Sequence, residues 1–426
     1  MTSSVSFVAR ESFHVPSIVP KTYFAGHHKT AMEKIKRILP SISLVLECRD
    51  ARLPLSTQNP LLESLVAGRR RLIIYTKSDL ASECSQKPIL RKLGGDTRGE
   101  RNIFFWSHKD HSKNQSIVTR IRELSLQHDE QSPLGMRTLI VGMPNVGKSS
   151  LLNDLRITGD SHIKARQKRE AILSRKLKVI VPSKEAVDNS EICKTIKDHR
   201  FAKKKHFAEK SKIIRKEMAE AEVEAKKTGE DPFTVFKTKR VAKTGDQAGV
   251  TRKVSSAVRL WDSTQGYIDG GKVLGSKAAF IIDTPGIFMP YVKDGETMLK
   301  IALTNGIKMG CIDNMILADY LLYHMNRVNP NLYSRYCEPT NDIEELLGAV
   351  ARLEGRFLPG ARYNYNDAAF RILSRWREGR LGRFVLDDLS PEHLHTHYLN
   401  LQSPEQSMNQ AKKMERQARR EAVASL

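Results

Sequence analysis

The amino-acid sequence predicts an α/β domain with a mostly parallel sheet and helices on both faces, followed by an α-helical region. Three observations predict this fold class. Residues 137–156, RTLIVGMPNVGKSSLLNDLR, are typical of a buried strand, a glycine-containing loop and a Leu-rich helix. Other short apolar runs end in polar residues, as strands of an open parallel sheet do where they bind ligands. From about residue 295, apolar residues recur at the three-to-four spacing of helices.

The loop at 142–149, GMPNVGKS, has the residues that a phosphate-binding P-loop requires. Gly142 and Gly147 permit backbone conformations that a Cβ would block, so the loop N–H groups can point at an anion beside the positive end of the following helix. Lys148 can reach the β- and γ-phosphates, and the Ser149 hydroxyl can ligate Mg²⁺. A chance glycine turn is the alternative, and the flanking strand and helix argue against it.

Length and charge limit the classes of function. The chain has 426 residues, enough for two or three domains, and its 71 Lys and Arg against 48 Asp and Glu give a net charge of +23. This excess suggests a polyanionic partner, most simply RNA; a basic protein without such a partner is the alternative. The five cysteines lie far apart and no run approaches 18 apolar residues. We therefore expect no disulfide framework, zinc site or transmembrane segment.

Three apolar runs that precede the P-loop are predicted strands, and a polar motif follows each of them. They are residues 42–48, followed by RDARLP; 72–75, followed by TKSD; and 103–106, followed by SHK. A carboxylate such as Asp79 can accept two hydrogen bonds from a guanine edge, a pair that adenine cannot offer. Alone, a TKSD segment is more often a helix cap than a base-reading motif.

Two segments differ in composition from the predicted domains. Residues 1–20 contain Glu11 as their only acidic residue, which is typical of a weak mitochondrial targeting segment; a disordered terminus is the alternative. Residues 161–240 hold 23 Lys and Arg against 12 Asp and Glu, with few apolar residues. They fit an RNA-contacting insertion, a tolerated surface insertion or a mis-spliced gene model.

Polar motifs resume after this stretch. Thr251 lies in a polar, glycine-flanked loop, where it can close on Mg²⁺ and a γ-phosphate. Strands predicted near 257–262 and 278–282 lead to the DTPG motif, in which Asp283 can hold Mg²⁺ through water and the Gly286 N–H can meet the γ-phosphate. A simple Asp-Pro-Gly turn is the alternative.

The C-terminal third is predicted to be helical at 296–309, 312–328, 341–355 and 366–380, with a charged helix at 403–421. The fourth helix and the residues after it carry several arginines that suit phosphate recognition, although a solvated helix face explains them equally well. These are Arg371, Arg375, Arg377, Arg380 and Arg383.

The P-loop, Thr251, DTPG, KSD and SHK are together the five motifs of a GTPase, in an order that differs from that of Ras. The base-reading motifs at 76–79 and 107–109 precede the P-loop, so the chain resembles a circularly permuted GTPase. It is most similar to the ribosome-biogenesis branch that matures the large ribosomal subunit in bacteria and mitochondria. Three further matches support that branch: FAGH at 24–27, DARLP at 50–54 with Asn59-Pro60, and the stretch 367–384.

This resemblance covers residues 21–156 and 241–390 and implies a domain organisation. We expect a targeting segment at 1–20, a circularly permuted P-loop GTPase domain at 21–295 with the insertion 157–240, a helical domain at 296–400 and a charged tail at 401–426. The resemblance also implies partners: the large mitochondrial ribosomal subunit and its rRNA, with peripheral association on the matrix side of the mitochondrial inner membrane.

The resemblance further implies a role for each matching residue. For GTP binding these are Thr76, Lys77, Asp79, Ser107, Lys109, Asn145, Val146, Gly147, Lys148, Ser149, Ser150, Thr251 and Gly286. For hydrolysis they are His27, Asn145, Lys148, Thr251 and Gly286. The Mg²⁺ site would comprise Ser149, Thr251 and Asp283, and Asn145 would help to hold K⁺.

Some positions depart from the family pattern. Thr76 replaces an Asn, which loosens the expected base contact; Ala25 replaces a Pro, and His28 a Met. Ile287 occupies the position of the Ras glutamine that orients the attacking water, so slow basal hydrolysis is expected. A GTP-hydrolysing assembly factor is the main hypothesis. A nucleotide-gated RNA-binding scaffold with negligible turnover is the alternative, and a P-loop kinase is disfavoured by KSD and DTPG.

Overall fold

The computed structural model describes residues 7–24, 26–93, 102–110, 112–128, 135–159, 254–261, 264–269, 272–276, 278–292 and 294–402, with positions 410, 413, 416 and 417. Of the predicted features, Thr251, the side chain of His27, nearly all of the insertion 157–240 and most of the helix expected at 403–421 lie outside these residues. The chain divides into one unit of residues 1–156 and 241–426 and a second of residues 157–240.

The first unit is built on a six-stranded sheet in which five neighbouring strands are parallel. Its strands run in the order β3-β2-β1-β4-β8-β5, and only the edge strand β5 is antiparallel to its neighbour. The described strands are β1 (Leu44–Asp50), β2 (Arg71–Thr76), β3 (Ile103–Phe105), β4 (Met136–Gly142), β5 (Val258–Trp261), β6 (Thr264–Asp269), β7 (Lys272–Ser276) and β8 (Ala279–Asp283); β6 and β7 pair separately as a hairpin. The predicted strands are confirmed, with ends shifted by at most three residues.

Helices cover both faces of this sheet, as predicted. They are α1 (Gly26–Ile38), α2 (Pro60–Leu65), α3 (Glu83–Leu93), α4 (Ser112–His128) and α5 (Lys148–Gly159). Successive side chains of a strand point to opposite faces. Leu44 and Leu46 of β1 accordingly pack in one apolar cluster with α4 and α5, whereas Val45 packs in another with α1 and α2. The helices cover the two faces of the sheet, so a binding site can form from the loops at the carboxyl ends of the strands.

The C-terminal region is helical, as predicted, and follows β8 after a short connection. It contains α6 (Gly295–Leu303), α7 (Asn314–Val328), α8 (Ile343–Glu354), α9 (Tyr365–Arg377) and α10 (Pro391–Gln402), with two short strands, β9 (Phe357–Leu358) and β10 (Arg362–Tyr363). The first four helices each begin after an Asp or Asn whose side chain accepts a hydrogen bond from a backbone N–H in the first turn. No helix among the described residues is long and apolar enough to cross a bilayer.

The N-terminal segment of residues 7–24 packs on α7. Arg10 forms an ion pair with Asp319 at 2.6 Å, and the Phe13 ring meets Tyr320 edge-on at 5.0 Å between centroids. Val19 is buried in the main apolar cluster. A disordered terminus therefore does not describe residues 7–20. The targeting role of residues 1–20 stays a prediction, and removal of that segment would remove these contacts.

The arginines of α9 are not a free face for phosphate. Arg371 and Arg375 pair with Glu354 at 3.0 and 2.6 Å, and the Arg377 Nε donates to the Leu303 carbonyl at 2.8 Å. These contacts join α9 to α8 and to the end of α6. Of these five arginines, only Arg380 and Arg383, which follow the helix, are strongly exposed. A solvated helix face therefore does not describe Arg375 and Arg377, and phosphate recognition by these arginines stays a prediction.

Candidate functional site

The P-loop lies between β4 and α5, at the carboxyl edge of the sheet. Gly142 has φ +148°, and a Cβ there would lie 2.4 Å from the Cys48 carbonyl oxygen of the adjacent strand. Gly147 has φ +93°, and Asn145 takes the left-handed conformation with φ +56°. These conformations curl the loop in front of the N-terminus of α5, whose first turn contains Lys148, Ser149 and Ser150. The predicted P-loop geometry is therefore present.

The charged groups predicted to handle phosphate and Mg²⁺ meet in this loop. The Lys148 Nζ donates to the Met143 carbonyl at 2.7 Å, and the Ser149 Oγ donates to the Asp283 Oδ2 at 2.6 Å. Burial lowers the pKa of Lys148, although Asp283 opposes this. Burial raises the pKa of Asp283, against the Ser149 hydrogen bond and the Lys148 charge.

These residues fit a bound Mg²⁺. The second carboxylate oxygen of Asp283, Oδ1, is buried and has no hydrogen-bond partner among the described residues. A carboxylate and a hydroxyl are the hard oxygen ligands that Mg²⁺ takes in phosphate-binding sites. A divalent cation there would also relieve the cost of burying an incompletely paired carboxylate.

The predicted base-binding motifs lie beside the P-loop, at the ends of β2 and β3. The Thr76 hydroxyl contacts the carbonyl oxygens of Val146 and Arg49, and so ties β2 to the P-loop. Lys77 is left-handed with φ +55°, and its Nζ donates to the Asn145 carbonyl at 2.8 Å. Thr76 therefore provides an oxygen contact to the P-loop at the position where the family pattern has an Asn.

Asp79 is held as a carboxylate by the SHK motif. Lys109 pairs with it at 2.9 Å, and the Lys109 backbone N–H donates to the Ser107 Oγ at 3.2 Å. Burial favours the protonated acid, but hydrogen bonds from Lys109 and Ser107 outweigh it and lower the pKa of Asp79. An ionised carboxylate accepts hydrogen bonds only, as recognition of the two guanine donors requires.

The DTPG motif packs directly against the P-loop. A Cβ on Gly286 would lie 2.3 Å from the Pro144 Cα, and the Ile287 N–H donates to the Gly142 carbonyl at 3.2 Å. The Ile287 side chain is only 1% exposed and packs with Val141 in an apolar cluster beneath the sheet. The residue after Gly286 thus serves the core and offers no polar group to a water at the phosphates.

The order of these motifs along the chain decides the type of fold. Strands β2 and β3, which lead into the predicted base-binding motifs, come before the P-loop strand β4, yet β1, β2, β3, β4 and β8 form one parallel sheet. The sequence model of the family described as "50S ribosome-binding GTPase" matches residues 137–207. The chain is a circularly permuted GTPase.

Relatives of this GTPase match it over most of their length. "Mitochondrial GTPase 1" of Schizosaccharomyces pombe is 26% identical over 92% of this chain and 96% of the relative. "Mitochondrial ribosome-associated GTPase 1" of Mus musculus is 24% identical over 90% of this chain and 95% of the relative. Among solved structures, GNP-bound YlqF from T. maritima aligns with a TM-score of 0.39 at 17% identity, covering 85% of this chain and 99% of that one.

Most of the residues predicted from the sequence come together, and two stay outside the description. Those brought to one edge of the sheet are Thr76, Lys77, Asp79, Ser107, Lys109, Asn145, Val146, Gly147, Lys148, Ser149, Ser150, Asp283 and Gly286. Thr251 and the side chain of His27 lie outside the described residues. Sequence reasoning missed Asp50, which lies 3.1 Å from the Lys77 Nζ, and Asn305, whose carbonyl accepts from the Asn145 Nδ2 at 3.2 Å. The position of Asp50 at a strand end was the available signal for it.

Proposed function

We propose that this GTPase is an assembly factor for the large subunit of the mitochondrial ribosome, and that its GTP state gates its binding to ribosomal RNA. One observation carries the proposal. The helical region touches the P-loop itself, through the hydrogen bond from the Asn145 Nδ2 to the carbonyl of Asn305. A change of the P-loop on nucleotide binding or hydrolysis is thereby passed to the helical region.

The connection after the DTPG motif supports the same link. Residues 284–294 join β8 to α6, and the Val292 N–H donates to the Lys21 carbonyl at 2.9 Å. A switch that tightens on the γ-phosphate at Gly286 pulls on a short segment that leads directly into the helices. RNA contact is supported by the net charge of +23.

The proposed roles of the described site residues follow from their positions, and that of Thr251 follows from the resemblance of the sequence alone. Lys148 and the N-terminus of α5 hold the β- and γ-phosphates, while Lys77 and Asp79 bind guanine, backed by Ser107 and Lys109. Ser149, Asp283 and Thr251 hold Mg²⁺, which neutralises charge on the phosphates when bound. Val146, Gly147 and Ser150 line the phosphates, and the Gly286 N–H meets the γ-phosphate.

Because Ile287 is buried, the group that activates hydrolysis has to come from elsewhere. We propose K⁺ held at Asn145, the side chain of His27, or the ribosomal partner. Asn145→Ala is expected to abolish stimulation by KCl, so that the variant hydrolyses GTP at the same rate in KCl as in NaCl. A variant that hydrolyses GTP in KCl as the wild type does would exclude the potassium site.

The proposed location is the mitochondrion, on the matrix side of the inner membrane. Support comes from the names of the relatives, which describe mitochondrial and ribosome-associated GTPases, and from the acid-poor residues 1–20. Association with the membrane would be peripheral. A fluorescent fusion that lacks residues 1–20 and still enters mitochondria would show that the address lies elsewhere in the chain.

GTP turnover by the purified protein tests the function, in KCl and in NaCl, each with and without large ribosomal subunits. Stimulation by K⁺ and the subunit together is expected. Tight GTP binding with no turnover in any of the four conditions would favour a nucleotide-gated scaffold, an alternative that the apolar Ile287 supports.

The affinity for the large ribosomal subunit shows whether GTP controls binding or whether the protein binds the subunit in every nucleotide state. The affinity for the large subunit should differ between the GTP-analogue and GDP states, because a ligand that binds two states equally shifts neither. Binding should also weaken steeply with salt if phosphate contacts contribute. Equal affinity in the two nucleotide states would exclude the gating mechanism.

A further inference from the structure

The end of β1 and the loop after it carry a buried ion pair, Arg52 with Asp50, to which the proposed function assigns no role. The Arg52 guanidinium forms two parallel hydrogen bonds with the Asp50 carboxylate, from Nε at 2.9 Å and from Nη2 at 2.8 Å. The Lys77 Nζ lies 3.1 Å from the Asp50 Oδ2. The side chains of Asp50 and Arg52 are 2% and 3% exposed. We name Asp50, Arg52 and Lys77 the open cluster.

The open cluster fixes Lys77 against the P-loop. Lys77 holds a left-handed backbone conformation, which is unfavourable for a residue with a Cβ and persists where contacts enforce it. Those contacts are Asp50 on one side and the Asn145 carbonyl on the other. Burial favours a neutral Asp50, but Arg52 and Lys77 outweigh it and hold the pKa of that carboxyl well below its usual range. Asp50 therefore remains an anchor for Lys77.

On the side away from Asp50, Arg52 contacts the helical region. Its guanidinium carbon lies 5.1 Å from the ring centroid of Trp376 on α9, and its Nη1 has no hydrogen-bond partner among the described residues. The Leu386 N–H donates to the Arg52 carbonyl at 2.9 Å. Asp387 accepts from the backbone N–H groups of Leu55 and Ser56, each at 2.8 Å. The loop is thus held between the base-binding motif and the helices.

We propose that Asp50 and Arg52 are positioning residues for Lys77, and that the contact of Arg52 with Trp376 lets the helical region set how long a guanine nucleotide stays bound. This rests on the proposed role of Lys77 in binding guanine. The route is separate from the γ-phosphate switch, because it acts on the base side of the site and applies to GDP and GTP alike. By linkage, a partner that repositions α9 changes the affinity for nucleotide, and nucleotide changes the affinity for that partner.

Release of a fluorescent GDP analogue from the full-length protein, followed by stopped flow, tests the inference. Trp376→Leu removes the cation–π contact of a desolvated guanidinium and should speed release about threefold to tenfold. Trp376→Phe keeps an aromatic face and should restore most of the wild-type rate. Release of a non-hydrolysable GTP analogue should accelerate by the same factor, while kcat at saturating GTP stays unchanged.

The helical region offers a matched control. Arg375 pairs with Glu354 at 2.6 Å, and its guanidinium carbon lies 6.0 Å from the Tyr336 ring centroid. Glu354, Arg375 and Tyr336 thus repeat the arrangement of Asp50, Arg52 and Trp376, but all three lie in the helical region. Tyr336→Leu should lower the melting temperature without changing nucleotide release. If Trp376→Leu does not fold, Arg52→Lys replaces it, since Lys keeps the charge beside Asp50 but loses the two-pronged pairing, and it should also speed release.

The outcomes separate the two proposals. A wild-type protein that does not retain the GDP analogue would overturn both the nucleotide site and this inference. A wild type that retains it, with Trp376→Leu or Arg52→Lys releasing it at the wild-type rate, would overturn this inference alone. Equal acceleration by Tyr336→Leu would also overturn it, because general destabilisation of the helices would then explain the effect.

Discussion

Two ion clusters of similar chemistry and different balance lie at strand β1, each built around a buried pair, Arg49 with Glu47 and Arg52 with Asp50. In the first, Arg49 pairs with Glu47 at 2.6 Å and with Glu63 at 2.7 Å, and Arg71 contacts both of these carboxylates. We name these four residues the closed cluster. The second is the open cluster of Asp50, Arg52 and Lys77. The closed cluster has two acids and two bases, whereas the open cluster has one acid and two bases.

On this difference in balance we expect a structural role for the closed cluster and a role in binding for the open cluster. Charges in the closed cluster cancel one another, and the cluster joins β1, β2 and α2. The open cluster has a surplus positive charge. This charge also acts on Arg377, because burial, together with the Arg52 charge, lowers the pKa of Arg377 to about 10. A positive surplus beside the P-loop is a favourable surrounding for a phosphate-bearing ligand.

The largest expected effect comes from breaking the closed cluster. Glu47→Gln leaves Arg49 and Arg71 sharing one carboxylate at a position where the Glu47 side chain is 3% exposed. Removing one partner of a buried ion pair costs about 3–5 kcal/mol of the free energy of unfolding. Urea denaturation measures this loss, and nucleotide release from the folded fraction should match the wild type. A loss below about 1 kcal/mol would contradict the structural role.

The next largest effect concerns Lys148, a buried charge that should serve GTP hydrolysis and not folding stability. Lys148→Ala should reduce GTP hydrolysis about 100-fold or more, because a charged donor in a water-poor site is removed from the phosphates. Its folding stability should fall little, since burial disfavours the Lys148 charge. Lys87→Ala is the control, because Lys87 is exposed on α3 and has no role in the proposed site. If Lys148→Ala hydrolyses GTP in a single turnover within threefold of the wild-type rate, Lys148 has no part in the reaction.

The smallest effect concerns the loss of stability between pH 7.5 and pH 5, which should arise outside both clusters. The pKa values of Asp50 and Glu63 are lowered by their cationic neighbours despite burial. The stability that these carboxylates contribute is therefore lost only when the pH falls to the pKa of a carboxyl in the unfolded chain, about 4, and below it. In contrast, burial, with Lys300 and Arg327, lowers the pKa of His324 to about 3. In the unfolded chain His324 binds a proton as the pH falls below about 6.5, whereas in the folded chain it stays neutral. The free energy of unfolding is therefore highest above that pH and falls as the pH is lowered.

The expected loss from His324 is about 2 kcal/mol between pH 7.5 and pH 5, at about 1.4 kcal/mol for each pH unit below 6.5. Urea denaturation at the two pH values measures it in the wild type and in His324→Gln. The variant should lose correspondingly less stability over this interval. Identical losses in the two proteins would show that His324 does not carry the effect.

Local patterns in the sequence predicted the sheet and most of the site. The P-loop and DTPG segments each combine a strand with its loop within a few consecutive residues, so the strand direction places their side chains without further information. The predicted helix at 296–309 was too long for a local reason: it ends at Leu303, and Asn305 turns the chain with φ +63°. That turn carries the carbonyl that meets Asn145.

Long-range partners could not be predicted in the same way. The sequence shows that Arg371 and Arg375 are charged, but their common partner Glu354 lies on another helix and is brought close by packing of α8 on α9. Likewise, nothing near Trp376 in the chain indicates that its ring faces Arg52. A side chain's partner is a property of tertiary packing, and charge patterns alone favour solvent-exposed interpretations.

The charges on β1 also bear on the order in which the sheet can be assembled. β1 lies between β2 and β4. During synthesis on the ribosome β2 emerges soon after β1, whereas β4 follows only after α3, β3 and α4. Until then one edge of β1 has no partner. A bare strand edge invites pairing with other chains, and charged side chains along it, such as Glu47, Arg49 and Asp50, discourage such pairing. We therefore expect these charges to limit aggregation of the chain before β4 has been synthesised.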